Sequence, residues 1–141
     1  MDLETIRSAG DAVNTRQKIV SLTALAERLK QPAASEEKIG LATGRFDLLS
    51  REMVEQLHAA RKRCDVLVIA VEPEGGPDCL LPAEARAQLA AGLASADFVV
   101  LAGPAEARAA LRPPLNLEAT IEVQSDLAPR LLARFGGHAR A

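Results

Sequence analysis

Aromatic residues, basic charge and long apolar runs are all scarce in this 141-residue chain, and each scarcity excludes a class of partner. Three phenylalanines, with neither tryptophan nor tyrosine, leave few rings on which the bases of a single strand stack. A net charge of −2 offers no basic surface for a phosphate backbone. The longest apolar runs are far shorter than the about 20 residues of a membrane span, and the first residues lack a signal-peptide pattern. We therefore expect a cytoplasmic protein that binds neither nucleic acid nor a membrane.

Cysteine and histidine are also few, with two of each in the chain. Cys64 and Cys79 have no secretory context that favours a disulfide, so we expect two free thiols. With His58 and His138 they do not form the short-spaced cluster of soft ligands that a zinc site requires. The sequence therefore predicts no resident metal.

Apolar residues make up 48% of the chain and charged residues 26%, which suits a single globular domain of this length. Because aromatics are rare, its core must consist of leucine, valine, isoleucine and alanine. We assign this domain to residues 19–141. Residues 1–18 show only weak helical spacing and are interpreted as an N-terminal arm.

Strand and helix patterns alternate along the domain. Strands are predicted at 39–43, 66–71 and 98–101, with a weaker one at 120–123. Helices are predicted after Ser21, at 50–63, 83–93 and 105–111, and finally over Leu127 to Phe135 behind a cap at Ser125 or Asp126. In the 50–63 helix, the apolar face is predicted to contain Met53, Val54, Leu57 and Ala60. The alternation predicts a Rossmann-like three-layer α/β/α sandwich with a mostly parallel sheet of four or five strands.

In such a sheet, ligands bind beyond the carboxyl ends of the strands, where the direction of winding reverses. Three loops are expected to meet at this edge: 43–50, 72–81 and 102–105. We therefore expect any binding site among these loops.

The motifs in and around these loops have a recognisable order and spacing. They are Gly44-Arg45-Phe46-Asp47-Leu48-Leu49, the 66–71 strand, Leu81-Pro82-Ala-Glu84-Ala-Arg86, and Ala96-Asp97-Phe98. From residue 18 to residue 113 the chain resembles the adenylyltransferase domain of ADP-heptose synthases, in the cytidylyltransferase-like family. The resemblance implies a fold that joins a nucleoside triphosphate to a sugar phosphate and releases pyrophosphate. It also implies nucleotide-binding positions at Thr43, Gly44, Phe46, Asp47, Ser50 and Arg86.

The chain departs from the family at the catalytic turn. Relatives read Gly-x-Phe-Asp-Leu-Leu-His-x-Gly-His, and their two histidines stabilise the charge on the reacting phosphate. Here Ser50 replaces the first histidine, Glu52 the glycine and Met53 the second histidine. The 72–78 loop is also acidic, whereas relatives tend to bring a basic residue to the phosphates there. Each change favours loss of catalysis.

Several of these residues also have ordinary structural explanations. Phe46 suits the core, and Asp47 and Ser50 suit the start of a helix as a cap or dipole partner. His58 is expected on the surface. Gly44 either gives a nucleotide clearance or simply ends a strand.

Three functions remain open from the sequence. The first is a degenerate, non-catalytic protein that binds a nucleotide-like small ligand or a protein partner. The second is an active transferase that uses Arg86, Ser50 and Mg²⁺ with ATP or CTP and a sugar phosphate. The third is an oligomerising scaffold that pairs with itself or with an intact relative through alanine-rich helical faces or the N-terminal arm.

Overall fold

Strands and helices alternate through the chain in the computed structural model, which describes residues 14–34, 36–76, 79–113, 115–123 and 130–136. The strands are β1 (Ile39–Gly44), β2 (Val66–Val71), β3 (Phe98–Leu101) and β4 (Leu117–Glu122). The α-helices are α1 (Leu22–Leu29), α2 (Arg51–Arg61), α3 (Ala83–Ala91) and α4 (Pro104–Ala110). A 3-10 turn at Thr15–Lys18 precedes α1.

The four strands form one parallel sheet in the order β3-β2-β1-β4. Every residue of β1 and β2 is buried, as expected for central strands with helices on both faces. One face packs against α1 and α4, through residues such as Leu25 and Ala107. The other packs against α2 and α3, through residues such as Met53 and Ala87. The Rossmann-like α/β class is confirmed, with four strands.

Helix caps define two of the helix starts. Ser21 Oγ accepts the Ala24 N–H at 3.1 Å, so α1 begins at Leu22, and its apolar residues face the core as predicted. Ser50 caps α2 in the same way, which places it outside the helix as a predicted cap.

Two predictions along the domain are wrong in detail. β4 begins at Leu117, before the predicted 120–123 segment, because pairing with β1 extends it through a register shift at Ile39/Gly40. Val54 is 39% exposed and lies outside the core face of α2, which Met53 and Leu57 form. The apolar face of this helix is therefore narrower than predicted.

The predicted caps of the last helix, Ser125 and Asp126, lie outside the described residues, as does most of the N-terminal arm. The described end of the chain is helical from Arg130, and Leu132–Gly136 forms a π-helical turn. Among the described helices, none combines the length and apolar character needed to cross a bilayer.

Candidate functional site at the carboxyl edge of the sheet

The carboxyl edge brings the predicted loops together. The loop after β1 meets the loop after β2, since Glu72 N–H donates to Gly44 O at 2.9 Å. The chain leaving β3 joins the same edge, where Ala102 N–H donates to Val71 O at 3.0 Å. The predicted convergence of the three loops is therefore present in the structure.

Arg86, on the first turns of α3, is the most deeply buried charge of this edge, with only 1% of its surface exposed. Its Nη1 donates to Arg45 O at 2.9 Å and to Glu72 O at 2.7 Å. Its Nη2 donates to Pro73 O at 3.1 Å, and its Nε donates to Leu81 O at 3.0 Å. The guanidinium therefore ties the loops after β1 and β2 together through their backbone carbonyls.

Asp47 completes this cross-link from the opposite side. Its two carboxylate oxygens accept the Leu80 N–H at 2.6 Å and the Leu81 N–H at 2.8 Å. The side chain is buried, and its recorded partners are on this loop and not on α2. The predicted role of Asp47 as a helix cap is therefore wrong: it fixes the backbone that enters α3.

Phe46 lies in the turn after β1, between Asp47 and Arg45, whose carbonyl accepts from Arg86. Its backbone has a φ of 54°, a left-handed conformation that is uncommon for a bulky residue. Its ring is buried in the core on the α2 and α3 face of the sheet, as predicted. The turn therefore combines a strained backbone with a buried ring, and both are held by the contacts of Asp47 and Arg86.

The three residues that replace the family's catalytic motif have different environments. Ser50 Oγ accepts the Met53 N–H at 3.3 Å, and the Met53 side chain is only 2% exposed within the core. Glu52 is exposed in the first turn of α2. The start of this helix therefore presents a carboxylate to solvent, while the methionine points into the protein.

Thr43 and Gly44 lie where β1 borders β4, and this is where the strand order reverses. Thr43 Oγ1 donates to Ile121 O at 3.4 Å, and Val123 N–H donates to Thr43 O at 2.8 Å. A Cβ at Gly44 would lie 2.4 Å from Val123 O. Gly44 therefore permits a close approach of two backbones, which accounts for glycine here without a ligand.

The two thiols lie at opposite ends of β2, with Cys64 before the strand and Cys79 after it, and both are free as predicted. Burial raises the pKa of the Cys79 thiol, although the nearby Arg86 opposes this effect. Burial likewise raises the pKa of the Cys64 thiol, against a backbone hydrogen bond at Gly40. Neither thiol has the lowered pKa of a reactive nucleophile.

No family model matches the chain. It is 31% identical over 131 residues to the bifunctional protein HldE of Paramagnetospirillum magneticum, which covers 85% of this chain and 27% of that protein. It is also 31% identical over 121 residues to HldE of Acidiphilium cryptum, covering 79% of this chain and 24% of that protein. The chain thus spans about a quarter of the length of these relatives. It is a homologue of one part of HldE, the ADP-heptose synthase.

A solved structure agrees with this relationship at the level of fold. The lipopolysaccharide core biosynthesis protein of Thermoplasma volcanium matches with a TM-score of 0.50 and 15% identity. The match covers 63% of this chain and 98% of that one. The predicted resemblance to the cytidylyltransferase-like domain of HldE and the nucleotidyltransferase-like fold are both confirmed.

In this HldE homologue, the six predicted binding residues lie along one edge, and each has a structural role there. The sequence did not predict the backbone groups that contact Asp47 and Arg86. For Asp47 these are the N–H groups of Leu80 and Leu81, and for Arg86 they include the carbonyls of Glu72 and Pro73. The burial of Arg86 had no local signal in the sequence either, because alanines lie on opposite sides of α3 and its one leucine, Leu89, is 40% exposed.

Proposed function

We propose that this chain is a non-catalytic homologue of the HldE nucleotidyltransferase domain, which binds a nucleotide-like ligand and transfers no nucleotidyl group. The observation that carries the proposal is the position of Met53. The Met53 side chain is part of the core. Family members have a histidine at this position, which donates a hydrogen bond to the phosphates.

The other groups near this turn support the same proposal. Phosphoryl transfer depends on preorganised positive charge and hydrogen-bond donors, and losing one such donor typically costs about 10²–10³ in rate. Ser50 caps α2, and Arg86 makes four hydrogen bonds to backbone carbonyls. Arg86 would have to give up contacts of this kind in order to bind a phosphate, whereas Ser50, which only accepts in the helix cap, has a single neutral O–H to donate.

The exposed charges at this edge favour a ligand with few phosphates. Glu52 lies in the first turn of α2, Glu74 in the loop after β2 and Glu84 in the first turn of α3, all with exposed side chains. Arg45 is the exposed cation in the turn after β1. Carboxylates at helix starts compete with an anion for the helix dipole, so a triphosphate is disfavoured relative to a nucleoside or monophosphate.

An active transferase is the alternative, and the retained Gly44, Phe46 and Asp47 within the family fold are the observations in its favour. Two assays separate the two functions. Thermal shift with adenosine, cytidine and their mono-, di- and triphosphates, with and without Mg²⁺, tests binding. Pyrophosphate release from ATP or CTP with a panel of sugar phosphates tests transfer.

We expect a nucleoside or monophosphate to stabilise the protein, by about 2.7 kcal/mol at 100 times its Kd, and no pyrophosphate release. Glu52→Gln should increase the response to triphosphate, whereas Glu27→Gln, an exposed glutamate on α1, should not change it. Release of pyrophosphate that requires both Mg²⁺ and a sugar phosphate would refute the non-catalytic proposal. A panel without any shift would refute nucleotide-like binding.

A further inference from the structure

The solvent-facing side of α2 carries an open groove of about 470 Å³. It is lined by Val54, Glu55, His58, Ala59, Lys62 and Arg63, all of which are exposed. Because α2 starts at the carboxyl edge and ends shortly before β2, Lys62 and Arg63 lie at the opposite edge of the sheet. The basic end of the groove is therefore separate from the candidate site.

The charges of this groove are unbalanced. The side chains of His58, Lys62 and Arg63 have no recorded hydrogen bond or ion pair within the described part of the chain. Glu55 supplies the one carboxylate, which already accepts from Arg51 Nε at 3.0 Å. The groove therefore presents two unpaired cations and an imidazole, on a chain whose net charge is −2.

An apolar stretch lies beside these basic groups. Val54 is 39% exposed, and Ala59 follows it along the helix with a side chain too small to fill the groove. Residues 54–62 span about 12 Å at about 1.5 Å per residue, or about two helical turns. This combination suits a short peptide segment with apolar side chains beside acidic ones, laid along the helix.

Nucleic acid and a lipid surface fit this groove less well. A nucleic-acid strand carries many phosphates, whereas the groove has two permanent cations and no phenylalanine, tyrosine or tryptophan on which a base stacks. A membrane surface is bound through several large apolar side chains, and Val54 is the one large apolar residue of the lining. Carboxylates on a protein segment match better, because they can lie beside Lys62 and Arg63 and away from Glu55.

We propose that the groove on α2 docks an acidic amphipathic segment of a partner protein. The apolar side chains of that segment cover Val54 and Ala59, and its carboxylates pair with Lys62 and Arg63. One helix face buries less than about 1,200 Å², and exposed ion pairs are individually weak and screened by salt. The complex therefore belongs to the weak, salt-dependent class.

Fluorescence anisotropy tests the proposal with a labelled helical peptide of about 15 residues, which has leucines along one side and glutamates beside them. We expect a Kd of about 10–500 µM at about 50 mM NaCl, and binding at least about tenfold weaker at about 500 mM NaCl. A scrambled peptide of the same composition lacks the apolar side and should bind at least about fivefold more weakly. Lys62→Glu and Arg63→Glu should each weaken binding at least about fivefold, because like charges then face each other.

Matched variants separate the groove from net charge. Lys30→Glu controls for Lys62→Glu, since both lysines are exposed C-cap residues, on α1 and α2 respectively, and it should leave the Kd unchanged. Ala59→Arg adds a cation but fills the groove, so we expect weaker binding. Ala109→Arg adds the same cation at an exposed position of α4 and should not weaken it. Thermal denaturation confirms that these variants remain folded.

Several outcomes would overturn the proposal. One is an acidic peptide that does not bind at protein concentrations up to about 1 mM, and another is an equal Kd for Lys62→Glu and Lys30→Glu. Tighter binding by Ala59→Arg would show that charge alone attracts the peptide, without a seat in the groove. Tighter binding of single-stranded DNA, or of phosphatidylcholine vesicles with about 30% phosphatidylserine, would assign the groove to a phosphate-bearing partner instead.

Discussion

The carboxyl edge of the sheet and the outer face of α2 both carry charged side chains, but the two regions use them in opposite ways. At the edge, Asp47 and Arg86 are buried and hydrogen-bonded to backbone groups of the protein itself. On α2, Glu55 and Lys62 are exposed and bound at most to a neighbour on the same helix. The two buried charges at the edge are therefore used by the fold, whereas the two charges on α2 face the solvent.

This difference shows why a charge at the edge is not by itself evidence of a ligand. A buried charge must be paired or hydrogen-bonded, so it stays in place even when no ligand uses it. Retention of Asp47 and Arg86 therefore shows only that the loops still need their cross-link. At positions 50, 52 and 53, where the chain departs from the family, it has a helix cap, an exposed carboxylate and a core methionine.

The largest effect is expected from Arg86→Ala. The substitution removes four hydrogen bonds and leaves buried carbonyls without a partner, which should lower the free energy of unfolding by about 3 kcal/mol or more. Arg45→Ala and Lys62→Ala remove exposed cations from the two regions and should each change it by less than about 0.5 kcal/mol. Urea denaturation measures all three. A small effect of Arg86→Ala would mean that the edge retains its charges for a ligand after all.

The sequence predicted the framework of this edge well, because the framework depends on local patterns. Apolar runs located β1, β2 and β3, and Ser21 and Ser50 marked the starts of two helices. Alternation of strands and helices then required the loops 43–50 and 72–81 to meet. These inferences need only the chain's periodicity and its capping residues.

The partners of individual side chains were not predictable in the same way. Asp47 binds backbone N–H groups 33 and 34 residues further along the chain, and no local signal connects them. Val54 follows Met53 in an apolar stretch, and only the packing of α2 on β1 and β2 excludes it from the core. The start of β4 likewise depends on its register with β1. Long-range packing decides these features.

The next largest effect is expected from Gly44→Ala. This substitution tests whether the backbones at the ends of β1 and β4 are in direct contact at Gly44. The new methyl group would approach Val123 O, which cannot move away as a flexible side chain would. We expect a loss of about 1–3 kcal/mol in the free energy of unfolding. Gly103→Ala is the matched control, because a Cβ there meets nothing within 4 Å, and it should cost less than about 1 kcal/mol. Equal effects of the two substitutions would contradict direct contact between the backbones at Gly44 and Val123.

The smallest effect concerns the two thiols and is a dependence of stability on pH. Burial raises the pKa of both Cys64 and Cys79, so above about pH 8.5 the unfolded chain loses these protons more readily than the folded one. The unfolded state then binds fewer protons, and the free energy of unfolding falls as pH rises, by less than about 1.4 kcal/mol per pH unit for each thiol. This contribution is fully present below that pH and is lost above it.

Comparison of Cys79→Ser with Cys64→Ser, each by urea denaturation between pH 7 and pH 10 under reducing conditions, separates the two ends of β2. In each variant, the free energy of unfolding should fall less steeply between pH 7 and pH 10 than in the wild type. Cys79 is next to Arg86, which favours its thiolate, so Arg86→Lys should alter the slope that Cys79 contributes and leave that of Cys64 unchanged. The pH dependence of the free energy of unfolding could instead be the same in both serine variants and in the wild type. In that case the thiols are not the titrating groups, and Cys79 is not buried at the carboxyl edge as its contacts indicate.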